Sequence, residues 1–346
     1  MMKVKATKDV HIRSGEAKRN GNSNLKGTLH KGFSIEVIET KNDGEDIDGN
    51  SIWYKDKNGD WYWSGGFESN QSSNGIGSEE YWWLNDFNVD VFWKSGYRGS
   101  GIKLAVLDTG LSIPHPDLNI YPENIIDVSN SFNGTMDMTG HGTHVTGIIK
   151  ASHNRIGVLG IAPEIDLYFG KITGDMGDHP DLLAKGINWG ISKDVDIISI
   201  SKGFQLGSNE LKRAVMLAIE NEILLVCAAG NKIDSNHLEI DFPARYSSEC
   251  EILVVGGLDK NGNHLLDTVA ESATDVFAPG DNIKSTFLNK KYKHQSGSSQ
   301  ATAYVAGIAA LALQKSNGRD NSKLIKLITK NSTNKIISPQ DIFNHA

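Results

Sequence analysis

Five apolar runs after about residue 100 are filled rather than alternating: residues 102–107, 165–169, 195–200, 224–229 and 252–255. A strand with one wet face alternates apolar and polar side chains. An unbroken apolar run needs cover on both faces. Segments with helical spacing lie among and after these runs, at 184–192, 211–221, 299–314 and 322–329. Strands and helices in that arrangement predict an α/β fold, a mainly parallel sheet with helices on both faces. No repeat of 20–50 residues interrupts the pattern. In open sheets of this kind sites form at the carboxyl ends of the strands. Polar residues there deserve the closest reading.

Residues 1–68 follow a different rule. Val4, Ala6, Val10 and Ile12 alternate loosely, and Phe33-Ser34-Ile35-Glu36-Val37-Ile38 reads as a short strand after turn signals. Trp53-Tyr54 and Trp61-Tyr62-Trp63 flank Asp56-Lys57-Asn58-Gly59-Asp60. Asn-Gly between aromatic runs is a strong hairpin signal. With no helical periodicity, the region is expected to form a small all-β antiparallel barrel. Residues 69–78, Ser-Asn-Gln-Ser-Ser-Asn-Gly-Ile-Gly-Ser, have the composition of a flexible linker. The expected organisation is therefore a barrel at 1–68, a linker at 69–78 and an α/β domain at 79–346. A length of 346 residues exceeds what one core usually serves.

Composition removes several function classes. With 38% hydrophobic and 22% charged residues, the chain is neither disordered nor a coiled coil. Net charge is −7 and no basic block occurs, so nucleic-acid binding has no electrostatic support. Cys227 lies in an apolar run and reads as a small buried hydrophobe. With Cys250 it makes at most one pair, which is no disulfide framework. No stretch reaches the roughly 18 apolar residues of a membrane span. The first residues lack the apolar core of a signal peptide. That gives an expectation of a cytoplasmic protein, the alternative being secretion with the leader already removed.

Three segments place polar residues where packing alone would not. In Leu104-Ala105-Val106-Leu107-Asp108-Thr109-Gly110 an apolar run ends in a carboxylate. Alone, Asp108 is a turn former. In Thr139-Gly140-His141-Gly142-Thr143-His144 the glycines leave room beside His141. His141 and His144 lack a third ligand spaced to complete a zinc site, and His144 reads as a packed core histidine. Ser296-Gly297-Ser298-Ser299-Gln300 opens the most apolar helix of the chain. Ser299 is either an N-cap or a nucleophile at the positive end of that helix. Acyl transfer by serine needs a base for its proton and a carboxylate to orient that base. The three segments supply all three, in the order Asp, His, Ser.

These segments resemble the Asp-Thr-Gly, His-Gly-Thr-His and Gly-Thr-Ser motifs of the subtilisin-like serine proteases, whose chain order they share. Ala228-Ala229-Gly230-Asn231 is similar to that family's oxyanion segment. Further likeness lies in Gly157–Pro163, Phe242-Pro243-Ala244-Arg245-Tyr246 and Phe277-Ala278-Pro279-Gly280. The resemblance covers 79–346. It implies a serine endopeptidase with Asp108, His141 and Ser299 as catalytic triad and Asn231 as oxyanion donor. It also implies that Ser201-Lys202-Gly203 and Ala228-Ala229-Gly230 bind substrate backbone and wall the primary pocket. Lys202 stands where the family often has Leu, Gln300 where Met is usual, and Ala303 where Pro is usual.

Ser152–Val158 resembles the family's calcium loop. On that resemblance Asp117 and Asn154 side chains and the Ile156 and Val158 carbonyls would hold a structural Ca2+. Arg155 inside the loop counts against it, and no cofactor is required for the chemistry. Residues 1–68 resemble a bacterial Src-homology-3-type barrel, carried by Val10–Gly15, Gly27–Gly32 and the aromatic pairs. Such modules usually bind peptides or cell-wall material, so the expected partners are protein or peptide substrates plus a ligand of this module. A scaffold carrying a dead protease fold is the competing reading, and four intact catalytic positions favour the enzyme.

Overall fold

The computed structural model describes residues 2–6, 8–18, 24–41, 44–45, 47, 53–67, 81–154, 156–175, 177–232, 239–265, 271–316 and 318–346. The expected linker at 69–78 and Arg155 lie outside the described residues. The chain divides into two units, Met1–Ser78 and Glu79–Ala346.

Among its described residues the first unit carries six strands, β1 (Met2–Lys5), β2 (Val10–Arg13), β3 (Leu25–Leu29), β4 (Ser34–Lys41), β5 (Trp53–Asp56) and β6 (Trp61–Trp63). They form one antiparallel sheet in the order β1-β4-β5-β6-β2-β3. The β5–β6 turn is locked by Asp56, whose Oδ1 accepts Asn58 N at 2.9 Å and Asp60 N at 3.1 Å. Val10, Ile35, Val37, Tyr54, Tyr62 and Phe67 share one apolar cluster.

The second unit opens with two short helices, α1 (Trp82–Asn85) and α2 (Asp90–Lys94). Then follow β7 (Lys103–Asp108), β8 (Ile125–Asp127), α3 (His141–Lys150), β9 (Asp166–Lys171), β10 (Thr173–Gly174), β11 (Gly177–Asp178) and α4 (Pro180–Ser192). Next come β12 (Ile197–Ile200), α5 (Asn209–Glu220), β13 (Leu224–Ala228), β14 (Leu253–Leu258), β15 (Val276–Pro279), β16 (Ile283–Phe287) and β17 (Lys291–Gln295). The unit ends with α6 (Ser298–Ser316), α7 (Asn321–Lys330), β18 (Ser332–Thr333), β19 (Ile336–Ile337) and α8 (Pro339–His345). The main sheet runs β18-β19-β15-β14-β13-β12-β7-β9-β8, parallel everywhere except between β18 and β19.

The filled runs serve two faces because successive strand side chains point opposite ways. Ala105, Leu107, Ile198, Ile200, Leu225, Cys227 and Val254 pack with residues of α4 and α5. Their alternates Leu104, Val106, Ile197, Leu224, Val226, Leu253 and Val255 are equally buried. They face the opposite side, where α6 covers β12 to β15 and α3 packs on β7 and α6. Sixteen residues of α6 are buried, which is why its apolar residues ring the whole helix rather than forming a stripe. Cys227 is a buried free thiol. No helix among the described residues is long and apolar enough to cross a membrane.

Candidate active site

Parallel pairing brings the first two groups together. Leu107 of β7 sits opposite Ile200 of β12, so Asp108 and Ser201 leave the sheet side by side at its carboxyl edge. His141 is the first residue of α3, and its Nδ1 lies 2.7 Å from Asp108 Oδ1. Thr109 N donates to the same oxygen at 2.7 Å. Asp108 is almost wholly buried while the imidazole keeps some exposure. Burial raises the Asp108 pKa, but the charge and hydrogen bond of His141 outweigh it and hold the carboxyl below its usual range. Burial likewise pulls His141 down, and Asp108 overcomes it, so the imidazole ends above its ordinary value of 6.5. Lys202 acts on both groups, lowering each.

Asp137, which the motif reading passes over, fixes the start of α3. Its Oδ1 accepts Thr109 Oγ1 at 3.0 Å and Gly140 N at 2.8 Å, and its Oδ2 accepts Thr143 N at 2.9 Å and Thr143 Oγ1 at 2.7 Å. Four residues ahead of the His-Gly-Thr-His run, an aspartate that caps free helix N–H groups was the available signal.

Ser299 is the second residue of α6. Its Oγ donates to the Ser201 carbonyl at 3.0 Å, and Ser201 Oγ donates back to the Ser299 carbonyl at 3.1 Å. This reciprocal pair ties the end of β12 to the start of α6. The hydroxyl therefore rests on Ser201 and not on His141. Asp108 occupies Nδ1 of the imidazole, which leaves Nε2 as the nitrogen able to take a proton. Sites without substrate commonly hold such nucleophile–base bonds loosely. Asn231 Oδ1 accepts Ser298 N at 3.1 Å. That bond sets the amide so that Nδ2 is its remaining donor beside the N-terminus of α6.

The two expected substrate segments leave neighbouring strands. Ser201-Lys202-Gly203 follows β12, while Ala228 ends β13 and Ala229-Gly230 follow it; β12 and β13 are adjacent. Lys202 ion-pairs with Asp178 of β11, a partner that sequence spacing does not reveal. His144 is buried; its Nε2 lies 3.0 Å from Ile283 O and 2.9 Å from Lys293 O. Burial pulls its pKa down to about 4, so it is a neutral brace between α3 and the β16–β17 hairpin. Gln300 Nε2 reaches His144 Nδ1 at 3.5 Å.

The calcium expectation meets a different arrangement. Asp117 and Asn154 do come together, but Asn154 Nδ2 donates to Asp117 Oδ1 at 2.9 Å and Asn154 Oδ1 accepts Ile156 N at 3.0 Å. Val158 N donates to Asp117 Oδ2 at 3.0 Å. The Tyr292 hydroxyl also donates to this carboxylate, which with burial raises the tyrosine pKa. Ile156 and Val158 thus enter through their N–H groups, and hydrogen-bond donors face the carboxylate. A hard cation needs oxygens converging on it, so these residues do not fit Ca2+. Among the described residues no three His, Cys, Asp or Glu side chains converge as a metal site.

Residues 99–345 match the Subtilase family. The minor extracellular protease Epr of Bacillus subtilis (strain 168) is 38% identical over 255 residues, which is 73% of this chain and 38% of that protein. Subtilisin Savinase of Lederbergia lenta is 37% identical over 245 residues, 70% of this chain and 87% of that one. The chain therefore spans well under half of Epr and most of Savinase. The crystal structure of MycP1 with its N-terminal propeptide removed superposes with a TM-score of 0.67 at 22% identity, over 75% of this chain and 96% of that chain. At that identity the likeness speaks for the fold. The matched span holds the whole carboxyl-edge cluster of Asp108, His141, Asn231 and Ser299, and the chain belongs to the subtilase family.

Proposed function

We propose that the chain is a serine endopeptidase acting on protein or peptide substrates through an acyl-enzyme. The observation that carries this reading is the 2.7 Å contact between His141 Nδ1 and Asp108 Oδ1, at the strand edge where the Ser299 hydroxyl meets Ser201. Ser299 Oγ turns from the Ser201 carbonyl to His141 Nε2, gives up its proton and attacks the peptide carbonyl carbon. Asp108 keeps the imidazole in the tautomer with Nδ1 protonated and stabilises the imidazolium. The oxyanion takes hydrogen bonds from Asn231 Nδ2 and the Ser299 backbone N–H. In a subtilisin, losing the side-chain donor costs roughly 100- to 1000-fold in kcat. His141 then returns the proton to the leaving amine, the acyl-enzyme forms, and water repeats the sequence to release it.

The test is Ser299→Ala. It is expected to abolish hydrolysis of a fluorogenic peptide and labelling by an organophosphorus reagent. Retained hydrolysis in that variant overturns the assignment.

For the first unit we propose a Src-homology-3-type barrel that binds a peptide or cell-wall ligand. Support comes from its antiparallel sheet and from a cavity of about 290 Å³ lined by Lys8, His11, Arg13, Trp53 and Trp63. Lys8 Nζ lies 4.7 Å from the Trp63 ring centroid. Pull-down on purified peptidoglycan tests it, with no retention as the contrary result.

A further inference from the structure

The Ser299 hydroxyl rests on a carbonyl that belongs to the expected substrate-binding segment. Its Oγ donates to the Ser201 carbonyl at 3.0 Å, while Ser201 Oγ donates back to the Ser299 carbonyl at 3.1 Å. Ser201 is 8% exposed and Ser299 9%. The sheet ladder ends one residue earlier, with Ile200 opposite Leu107 of β7 on one side and Cys227 of β13 on the other. The Ser201 carbonyl thus stands just beyond the sheet's own pairing. An extended peptide laid along Ser201-Lys202-Gly203 would pair there.

The backbone around the nucleophile is fixed. Gly297 N donates to the Gly280 carbonyl at 2.8 Å, Ser298 N to Asn231 Oδ1 at 3.1 Å, and Thr302 Oγ1 to the Ser298 carbonyl at 2.8 Å. Freeing the hydroxyl is therefore a change of side-chain rotamer, with no movement of α6. A hydroxyl that leaves the Ser201 carbonyl strands a buried acceptor. That is unfavourable until another donor arrives.

We propose that this donor is the substrate's own backbone N–H, and that Ser201 is a positioning residue that holds the nucleophile away from His141 until a peptide docks. This rests on the serine-endopeptidase reading and supplies its trigger. Within one residue the amide nitrogen and the carbonyl carbon lie about 2.5 Å apart. A residue whose N–H binds the Ser201 carbonyl therefore brings its own carbonyl carbon beside Ser299 Oγ. One oxygen both parks the hydroxyl and registers the scissile residue. Docking releases the hydroxyl to His141 Nε2 just as the bond to be cleaved comes within reach. The substrate class this selects is an extended peptide with an unsubstituted amide on the residue before the scissile bond. A reagent with no amide N–H cannot make the exchange.

The experiment uses the full chain and two fluorogenic peptides that differ only in an N-methyl group on the residue before the scissile bond. Methylation should lower kcat by at least about tenfold and change KM by less than about threefold, the mark of an interaction spent on the reacting state. Ser201→Ala removes the hydroxyl half of the clasp and lets the carbonyl drift from both Ser299 and the substrate. Labelling of that variant by diisopropyl fluorophosphate, which has no N–H, should rise at least about threefold while its peptide kcat falls at least about threefold. A merely structural loss would lower both. Ser201→Thr keeps the hydroxyl and should stand within about twofold of the parent in both assays. A methylation effect confined to KM overturns the proposal and leaves the endopeptidase intact. So does Ser201→Ala labelled no faster than the parent, or Ser201→Thr behaving as Ser201→Ala does. If the unmethylated peptide is not cleaved and Ser299 is not labelled, both readings fall.

Discussion

Lys202 stands where the pattern of related sequences leads one to expect leucine, and its charge acts on both Asp108 and His141. The sign of its effect on rate follows directly. His141 works as base only when neutral, and its pKa is raised above 6.5. Activity should therefore fall as pH drops through that raised value. Lys202 lowers the His141 pKa, so Lys202→Met should move the acid limb of kcat/KM to higher pH. Asp108→Asn removes the dominant raising influence, so its limb should move the other way, with a loss of roughly 10⁴-fold in kcat as in other triads. A pH–rate profile of the three proteins checks this, and an acid limb in Lys202→Met at or below the parent's contradicts the argument. At this scale the sequence was legible wherever a chemical role demands one residue type: a carboxylate, an imidazole, a hydroxyl and an amide in order. It was silent about Asp178 and Tyr292, because their roles come from partners 24 and 175 residues away in Lys202 and Asp117, and no local pattern encodes those pairings.

Among the elements, the five filled runs were readable because burial on two faces leaves little place for polar residues, which there fall mostly near the strand starts (Lys103, Asp166, Asp196). Each became a strand of the main sheet with its ends moved by no more than three residues. The β16–β17 hairpin was not readable: Lys291-Tyr292-Lys293-His294-Gln295 is polar, and its place comes from contacts to α3. Those contacts run through Ser285 Oγ to the His144 carbonyl at 2.7 Å and Thr286 Oγ1 to the Thr143 carbonyl at 2.7 Å. The same hairpin supplies Tyr292 to Asp117, which is fully buried. The loop at 152–158 resembles a calcium site in its letters, yet hydrogen-bond donors close it in three dimensions. Two outcomes follow. A chelator should leave the thermal midpoint unchanged. Tyr292→Phe, which strips an O–H donor from a buried carboxylate, should cost about 1–3 kcal/mol. At about 2–4 °C per kcal/mol for a unit of this size, that is a fall of several degrees. A calorimetric scan with and without EDTA reads both, and a large downward shift with EDTA refutes the closed-loop account.

At the level of the whole chain, the division into Met1–Ser78 and Glu79–Ala346 separates chemistry from whatever the first unit binds. Every group assigned to bond cleavage lies after residue 100, and the first unit carries its own clusters, one around Tyr54, Tyr62 and Phe67 and one around Trp53 and Trp61. Apolar surface satisfied within a unit does not require the other for folding. Residues 79–346 expressed alone should then fold and hydrolyse a short fluorogenic peptide with kcat/KM within about threefold of the full chain. Short peptides engage only the cleft, so they report the catalytic unit by itself. A substrate presented on insoluble cell-wall material brings in the first unit through effective concentration, and there the full chain should outpace the fragment by at least about tenfold. The two assays together discriminate. A fragment slow on both substrates means that the catalytic unit depends on the first 78 residues for its structure. A fragment much faster than the full chain on the short peptide means that the first unit restrains the cleft. A fragment equal on both means that the first unit contributes nothing to substrate capture.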